Sequence, residues 1–341
     1  CVNVCPTGAI RLDSEIPELI VEKCIRCGVC LYACPIGAFE RYDGLYKLLH
    51  CAEFIVDHEV LDIACAHHRS PAITDGASDG VIQTNNCLSG LGYSAYIGLL
   101  AVGVKHVRVR LDACSTCPLR VMQTQIEHCV ANTQRILSTF SLQERIKIVS
   151  SAEPTWRKLP LYDSQNLPVS RRAFFSVLSE TSSVSRTIVP VDEDQPETGK
   201  YTPRERRRLL TALRMLVDSN TDLPPHATIE AIGFAQFNVL SSCTACGLCE
   251  RVCPTEALRV DKCDTTFAIT FAPHLCTDCG LCVGYCETGA LRPSGGPLAS
   301  HVLNGNVIQL HEGTLQQCTR CKTRFSDQNG ETLCSVCRYR R

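Results

Sequence analysis

The amino-acid sequence predicts a modular α+β protein, in which cysteine-rich modules flank a small parallel α/β domain. Most of the 25 cysteines lie in closely spaced groups near the two ends of the 341-residue chain. Between residues 43 and 151, apolar segments of helical and strand length alternate. These patterns predict five segments, with boundaries at 1–43, 44–151, 152–236, 237–296 and 297–341.

The overall charge is nearly balanced, because the chain has 34 Lys and Arg residues and 35 Asp and Glu residues. A formal net charge of −1 offers no field that would attract nucleic acid or an anionic membrane, so we expect neither as a direct partner. The chain contains no run of about 18 apolar residues. We therefore expect no transmembrane segment, which leaves peripheral membrane association through a partner open.

Such an abundance of cysteine indicates either disulfides in a secreted protein or metal centres in a reducing compartment. Tandem C-x2-C pairs favour metal, because sulfurs on one tight loop converge on a shared ion and are poorly placed to pair with each other. The sequence therefore predicts a cytoplasmic metalloprotein.

The most specific motif spans residues 243–286. It reads Cys243-x2-Cys246-x2-Cys249-x3-Cys253-Pro254, followed by Cys276-x2-Cys279-x2-Cys282-x3-Cys286. Three cysteines at this spacing can wrap a loop around one iron–sulfur cubane, while the fourth lies on the short helix that follows. Zinc knuckles would instead need two separate pairs.

These residues resemble the bacterial two-cluster [4Fe–4S] ferredoxins. The resemblance implies crossed ligation, with one cluster held by Cys243, Cys246, Cys249 and Cys286 and the other by Cys276, Cys279, Cys282 and Cys253. It also implies that Gly247 and Gly280 let the backbone approach the clusters. Glu287 follows Cys286 where the family has proline, and we expect ligation to survive because proline only shapes the turn. Short apolar alternation over 258–260 and 266–271 predicts a hairpin that connects the two motifs, and Cys263 between these segments is expected to be a free thiol.

The N-terminus repeats this pattern, with Cys24-x2-Cys27-x2-Cys30-x3-Cys34-Pro35 preceded by Cys1-x3-Cys5-Pro6. It resembles a second two-cluster ferredoxin. The resemblance implies one complete set formed by Cys24, Cys27, Cys30 and Cys5, and a second set of which the chain holds Cys1 and Cys34. We therefore expect a longer native chain and three to four [4Fe–4S] clusters.

The middle segment predicts a small parallel sheet with helices on its faces. Helices are expected over 45–56, 91–102 and 119–137, and strands over 60–64, 81–84, 106–111 and 146–150. Ligands of such sheets bind beyond the carboxyl ends of the strands. Three of these strand ends are followed by cysteines, namely Cys65, Cys87 and the Cys114-x2-Cys117 pair.

About 70 residues of this segment resemble the delta subunit of methyl-viologen-reducing hydrogenase. The similarity is carried by Cys87-Leu-Ser-Gly90, by residues 103–111 and by Cys114-x2-Cys117. It implies a [2Fe–2S] cluster that passes electrons between a flavin-containing heterodisulfide reductase-type subunit and a hydrogenase or formate dehydrogenase. We expect Cys65, Cys87, Cys114 and Cys117 as ligands, with His68 as an alternative. A degenerate domain with buried free thiols is the other interpretation, and Cys51 and Cys129 are expected in the core.

Residues 152–236 lack cysteine and predict a helical connector. A helix should begin near Thr202-Pro203, with Glu205 in its first turn and an apolar face formed by Leu209, Leu210, Leu213, Leu216 and Val217. The basic run 204–208 is interpreted as a solvated face rather than a nucleic-acid contact.

The C-terminal motif Cys318-x2-Cys321-x12-Cys334-x2-Cys337 has the ligand spacing of a zinc ribbon. A rubredoxin-like iron site uses similar pairs but has Gly or Pro in and after the knuckles, so structural Zn is favoured.

Together these patterns predict a multi-cluster iron–sulfur electron-transfer subunit of a larger redox complex, with a flavoprotein, hydrogenase or molybdopterin-type partner and no catalytic site of its own. Two alternatives remain open. One is a thiol/disulfide or sulfur-metabolising oxidoreductase with its site in residues 44–151, and the other is a redox-sensing nucleic-acid binder.

Overall fold

The computed structural model divides the chain into two units. Unit 1 comprises Cys1–Pro196 and Pro203–Leu223, and unit 2 comprises Glu197–Thr202 and Pro224–Arg341. The structure describes residues 2–13, 16–55, 59–75, 77–150, 158–166, 201–218, 223–326 and 330–339. The expectation for Cys1 therefore lies outside the described residues.

Unit 1 begins with a small cysteine module, here called the N-terminal cysteine module (residues 2–43). It contains an antiparallel hairpin of strands β1 (Ile10–Asp13) and β2 (Ile16–Leu19), followed by the short helix α1 (Cys30–Ala33). Only a few of its described side chains are buried, namely Ala9, Ile10, Val29, Tyr32 and Cys34, so the module has little hydrophobic core of its own.

The rest of unit 1 is built on a five-stranded parallel sheet. The helices are α2 (Leu45–Phe54), α3 (Tyr93–Ala101) and α4 (Gln123–Ser138), and the strands are β3 (Val60–Ala64), β4 (Gly80–Gln83), β5 (His106–Arg110), β6 (Ile146–Val149) and β7 (Leu161–Asp163). The strand order is β6-β5-β3-β4-β7, and every pairing is parallel. The predicted α/β alternation is confirmed. Strand β7 falls within the segment predicted as a connector and extends the sheet at its edge.

Connection handedness explains where the covering segments lie. The connections β4–α3–β5 and β5–α4–β6 run in the same direction across the sheet, so the right-handed rule puts both helices on one face. The β3–β4 connection runs the opposite way and covers the other face without a helix. That face carries the charged residues Asp62, Arg108 and Arg110, which alternate with the apolar residues that face the helices.

Helix α5 (Arg204–Asp218) packs on the outer side of α3. This contact explains why α3 is buried from Ser94 to Leu100, since the sheet covers one side and α5 the other. Four predicted apolar-face residues of α5 are buried, namely Leu209, Leu210, Leu213 and Leu216.

The expectation of a solvated basic face on α5 is wrong. Arg206 and Arg208 are each only 5% exposed, and both Arg204 and Arg208 form ion pairs with the Asp43 carboxylate. Asp43 lies more than a hundred residues before these arginines in the chain, so the charge pattern of the helix itself could not predict the ion pairs. Glu205 lies in the first turn of α5, as predicted, and both of its oxygens accept hydrogen bonds from Ser94 on α3.

Unit 2 contains a second cysteine module, here called the C-terminal cysteine module (residues 237–314), and a small C-terminal subdomain. The strands are β8 (Phe237–Val239), β9 (Leu258–Lys262), β10 (Thr266–Phe271), β11 (Leu291–Pro293), β12 (Ile308–Thr314), β13 (Gln316–Gln317) and β14 (Arg324–Phe325), and the helices are α6 (Leu248–Val252), α7 (Leu281–Gly284), α8 (Ala299–Asn304) and α9 (Ser335–Tyr339). The predicted β9–β10 hairpin is confirmed.

Strand β12 pairs antiparallel with β10 and completes the sheet order β12-β10-β9. The C-terminal cysteine module therefore extends past the predicted boundary at residue 297. We use the word ribbon for the described part of residues 316–339, which holds the β13–β14 pair and helix α9.

Candidate iron–sulfur centres

Three of the cysteine loops share one backbone geometry. The residue before the second cysteine adopts a left-handed conformation in each, with φ of 53° at Arg26, 53° at Ala245 and 55° at Asp278. Successive turns of this kind direct backbone N–H groups into a concavity that suits an anion or the sulfurs of a cluster. At one loop, the N–H of Asp278 donates to Sγ of Cys276 at 3.4 Å. None of these three residues was singled out from the sequence.

The glycine after the second cysteine is also left-handed in each loop, with φ of 82° at Gly28, 79° at Gly247 and 74° at Gly280. A Cβ atom at Gly247 or Gly280 would meet no atom within 4 Å. Glycine is therefore favoured at these two positions by the positive φ and not by a lack of room for a side chain. Gly28 is different, because its Cβ would lie 2.8 Å from Cα of Gly90.

In unit 2 the structure brings the eight motif cysteines together in two crossed sets. Cys243, Cys246, Cys249 and Cys286 line one cavity, here called site 1. Cys253, Cys276, Cys279 and Cys282 line a second cavity, site 2. This grouping is the one expected from the sequence, with the fourth cysteine of each motif contributed to the other set.

Burial, and to a lesser degree the crowding of thiols, raises the pKa of one or more cysteines in each set. Burial and the neighbouring sulfurs raise the pKa of Cys249 in site 1 to about 11 and that of Cys282 in site 2 to about 12. Four thiolates cannot share such a site without a compensating cation. The donor set and its burial fit a metal cluster, which binds cysteine as thiolate.

The fourth cysteine of three motifs has a threonine hydroxyl beside its sulfur. The Sγ to Oγ1 distances are 3.6 Å for Cys5 and Thr7, 3.7 Å for Cys253 and Thr255, and 3.8 Å for Cys286 and Thr288. The Cys-x-Thr repeat is visible in the sequence and could have been recognised there. Glu287, in the position of the family's proline, leaves this contact at Cys286 in place.

In unit 1, Cys5, Cys24, Cys27 and Cys30 line a common cavity, here called site 3. The N–H of Ala9 donates to Sγ of Cys5 at 3.2 Å. Cys34 is buried and accepts a similar bond from the N–H of Ala38 at 3.3 Å. The structure thus assembles the predicted complete set, while the expected partner of Cys34 is the undescribed Cys1.

The middle segment supplies a fourth set. Cys65, Cys87, Cys114 and Cys117 line one cavity at the carboxyl edge of the parallel sheet, here called site 4. Burial and the negative charges of the other three sulfurs raise the pKa of Cys114 to about 12. The N–H of Leu119 donates to Sγ of Cys117 at 3.4 Å. Four converging cysteines with a backbone donor fit a cluster or metal ion.

His68 is held away from site 4. Its Nδ1 accepts a hydrogen bond from the N–H of Ser70 at 3.3 Å, and its Nε2 lies 3.0 Å from Oδ2 of Asp112. Both ring nitrogens are therefore engaged by protein atoms, and the adjacent His67 lines the cavity instead. The structure does not support His68 as the alternative ligand.

A network of buried ion pairs lies at the edge of the sheet that carries site 4. Arg110 lines the cavity and is only 2% exposed, and it forms ion pairs with Asp62 at 3.1 Å and Asp112 at 2.7 Å. It also donates to the carbonyl oxygens of Pro71 and Ile73 in the β3–β4 connection. This arginine therefore fixes the segment that carries Cys65 relative to the strand that leads to Cys114.

Sites 3 and 4 meet at Cys87, which lines both cavities. The loops that bear them are in direct contact. The hydroxyl of Ser89 donates to the carbonyl oxygen of Cys27 at 2.9 Å, and the Cα atoms of Gly28 and Gly90 face each other with no side chain between them. The N-terminal cysteine module is thus joined to the sheet domain through its cluster loop.

The ribbon contains a group of four cysteines, Cys318, Cys321, Cys334 and Cys337, whose sulfur atoms lie within 4.8 Å of one another. Such a group could hold one metal ion. Backbone N–H groups lower the pKa of Cys318 to about 6, and the N–H of Cys334 donates to its sulfur at 3.4 Å. Hydrogen bonding with the neighbouring sulfurs and burial raise the pKa of Cys337 to about 12. A metal ion at this group would bind all four cysteines as thiolates.

The remaining described cysteines lie outside these five groups. Cys51 and Cys129 are buried in the core of unit 1, as expected. Cys263 is exposed in the turn between β9 and β10. Among the described residues, no helix has the length and apolar character needed to cross a bilayer.

Comparison with known families identifies the two cysteine modules. The model of the 4Fe-4S dicluster domain matches residues 1–38 and 242–290. Both modules are of the ferredoxin type. The matched segments contain the cysteines of sites 1, 2 and 3, and they leave site 4 and the ribbon without a counterpart in this family.

Several curated proteins share one such segment. Electron transport protein HydN of Escherichia coli (strain K12) is 50% identical over 40 residues, which are 12% of this chain and 23% of HydN. The polyferredoxin-like subunit of an aliphatic sulfonate oxidoreductase from Pyrococcus furiosus is 51% identical over 37 residues, 10% of this chain and 21% of that protein. An uncharacterized ferredoxin from Methanocaldococcus jannaschii is 53% identical over 38 residues, 11% of this chain and 25% of that protein. The chain spans at most a quarter of the length of these relatives.

Proposed function

We propose that this chain is an iron–sulfur electron-transfer subunit of a larger oxidoreductase complex. Sites 1, 2 and 3 each offer four cysteine sulfurs on loops of the ferredoxin type and are proposed to hold [4Fe–4S] clusters. Site 4 is proposed to hold a [2Fe–2S] cluster, and the ribbon a structural Zn ion. Bound at these sites, the clusters supply one-electron redox chemistry.

The contact of sites 3 and 4 at Cys87 carries this proposal. A relay needs neighbouring centres with protein packed tightly between them, and two loops of unit 1 meet here at a pair of glycines. Ser89 and Cys27 add a hydrogen bond across the same junction. The residues of the chain thus hold two sites in a fixed relation, which suits transfer between them.

The names of two relatives indicate redox proteins, which supports a redox partner for this chain. HydN is an electron transport protein, and the P. furiosus protein is a subunit of an oxidoreductase. We propose a flavoprotein, hydrogenase or molybdopterin-type subunit as the partner that performs the two-electron chemistry.

The thiol-based alternative is less well supported. A catalytic thiol should have a lowered pKa, so that the nucleophilic thiolate is present at neutral pH. Burial and neighbouring sulfurs instead raise the pKa of Cys65 and bring that of Cys114 to about 12.

The substitution Cys87→Ser tests the proposal on anaerobically prepared full-length chain. We expect the electron paramagnetic resonance (EPR) signal of a two-iron centre to disappear while the four-iron signals of sites 1 and 2 remain. Cys263→Ser is the matched control, because Cys263 is exposed and outside every set, and it should leave all signals unchanged. Retention of every wild-type signal in Cys87→Ser would contradict the assignment of site 4.

A further inference from the structure

The ribbon lies directly over one of the two sites of unit 2. Ser335, at the start of helix α9, lines the cavity of site 1 together with its four cysteines. The N–H of Ser326 donates at 3.0 Å to the carbonyl oxygen of Thr244, which lies within the Cys243–Cys246 loop. The ribbon therefore touches both the cavity and the loop that forms it.

Further contacts fasten the ribbon to the same module. Leu315, the residue immediately before the ribbon, is 8% exposed, packs in the core of the C-terminal cysteine module, and donates its N–H to the carbonyl oxygen of Thr265 at 2.7 Å. The guanidinium of Arg324 bonds to the carbonyl oxygen of Cys263 and to the Asp264 carboxylate. The first of these contacts lies directly after strand β12, so the chain is held to the module at the point where the ribbon begins.

Site 2 is different. Its cavity is lined by residues between Phe237 and Cys282, none of which belongs to the ribbon. Sites 1 and 2 belong to one module, and each has four cysteines. Contact with the ribbon distinguishes site 1 from site 2.

The ribbon has very little core of its own. Its buried core consists of Phe325 with Cys318, Cys334 and Cys337, and the partly buried Leu333 packs against it. Four-cysteine modules of this size are held together by their metal, because the apolar surface that they bury is too small to offset the loss of chain entropy. The position of Ser335 and Ser326 therefore depends on the ion held by the four cysteines.

We propose that the metal-bound ribbon is a partial cover for site 1: it limits the access of solvent and small reagents to a centre whose Cys246 is exposed, whereas site 2, with Cys253, Cys276 and Cys282 buried, is enclosed by its own module without the ribbon. The proposal rests on the proposed function, since it assumes that sites 1 and 2 hold clusters. It assigns the ribbon a role in the stability of one particular centre rather than in electron transfer itself.

The first test removes one ribbon ligand by Cys321→Ser in full-length, anaerobically prepared protein. The signals of the two sites are first assigned with Cys246→Ser and Cys279→Ser. With an iron chelator added, we expect the site 1 signal of Cys321→Ser to decay several-fold faster than in the wild type, with lower bound Zn, and the site 2 signal to decay at the wild-type rate. Equal acceleration at both sites, or none at either, would overturn the proposal.

A second variant keeps all four ribbon ligands and so does not depend on the folding of Cys321→Ser. Ser335→Asp introduces a negative charge beside site 1, and an aspartate at the start of a helix is favourable. We expect the reduction potential of site 1 to shift to a more negative value while that of site 2 stays unchanged. Val336→Asp, at an exposed neighbouring residue, is the control and should shift neither potential.

The two tests separate this proposal from the function on which it rests. An equal shift at both sites in Ser335→Asp, or no shift, would show that the ribbon does not cover site 1, even though both clusters are present. Absence of any iron–sulfur signal in the wild type would instead reject the proposed function.

Discussion

Threonine hydroxyls beside the fourth cysteines are the residue-scale feature that bears most directly on redox behaviour. A hydroxyl that donates to a ligand sulfur stabilises the more negative, reduced form of a cluster and raises its reduction potential. Three of the motif cysteines have such a threonine, whereas Cys34 is followed two residues later by Ile36.

Replacing Thr255 by valine should therefore lower the potential of site 2. Thr255 is 3% exposed, and valine has nearly the same shape, so the packing should be kept. We expect a shift of about 20–60 mV to more negative potential, which corresponds to roughly 1 kcal/mol for a one-electron step. EPR-monitored redox titration measures it, with the exposed Thr266→Val as control. A potential that is unchanged or more positive would contradict the role of the hydroxyl.

Gly28 and Gly247 form a matched pair for a second residue-scale prediction. Both have positive φ, but a Cβ at Gly28 would also lie 2.8 Å from Cα of Gly90. Gly247→Ala should cost about 1 kcal/mol of stability in unit 2, whereas Gly28→Ala should cost about 2–4 kcal/mol in unit 1, because the backbone of one loop must move. Urea unfolding of each variant against the wild type measures these values. Equal costs would show that the two loops are not in close contact.

At the scale of elements, helices α3 and α5 are joined by the half-buried carboxylate of Glu205. Glu205 accepts hydrogen bonds from the N–H of Ser94 at 2.8 Å and from its hydroxyl at 2.6 Å. Gly92, before α3, offers no side chain to cap the helix, and a Cβ there would collide with the Glu205 carboxylate. The first turn of α3 is thus capped by another helix.

Burial raises the pKa of the Glu205 carboxyl, although Ser94 and Arg208 oppose this shift. The protonated form is therefore favoured more in the folded than in the unfolded chain. The stability contributed by this group is present at low pH and is lost as the pH rises through the folded-state pKa.

Glu205→Gln keeps the shape and a hydrogen-bond acceptor but carries no charge at any pH. We expect it to be more stable than the wild type at pH 8 by about 1 kcal/mol, with the difference shrinking toward pH 5. Urea unfolding at the two pH values measures this, with the exposed Glu59→Gln as control. A glutamine variant that is less stable than the wild type at pH 8 would mean that the ionised form is the stabilising one.

Elements with a strong local pattern could be predicted from the sequence, and those held by distant contacts could not. Strands β3 to β6 could be predicted because each is a short apolar run or an alternation of apolar and polar residues between turns. Strands β7 and β12 were missed, since β7 has three residues and β12 is half-exposed, so that pairing with the sheet decides their conformation. The buried arginines of α5 were missed for the same reason, because their partner Asp43 lies on another segment.

At the scale of the whole molecule, the cysteine sets were the most predictable feature. The spacing of a cluster loop follows from the geometry of its cofactor, so the eight cysteines of sites 1 and 2 group as the family resemblance implies. The meeting of sites 3 and 4 at Cys87, and of the ribbon with site 1, could not be predicted. Both arise from packing between segments: Ser326 and Ser335 are not motif positions, and the Cys87–Gly90 motif gives no sign that Gly90 contacts Gly28.

The number of iron and acid-labile sulfide atoms per chain tests the central claim most directly. Three [4Fe–4S] clusters and one [2Fe–2S] cluster correspond to about 14 iron and about 14 sulfide atoms in anaerobically prepared full-length protein. We expect this content together with reducible EPR signals of both cluster types. Protein that is folded and carries Zn in the ribbon, but has no acid-labile sulfide and no reducible paramagnetic signal, would contradict it.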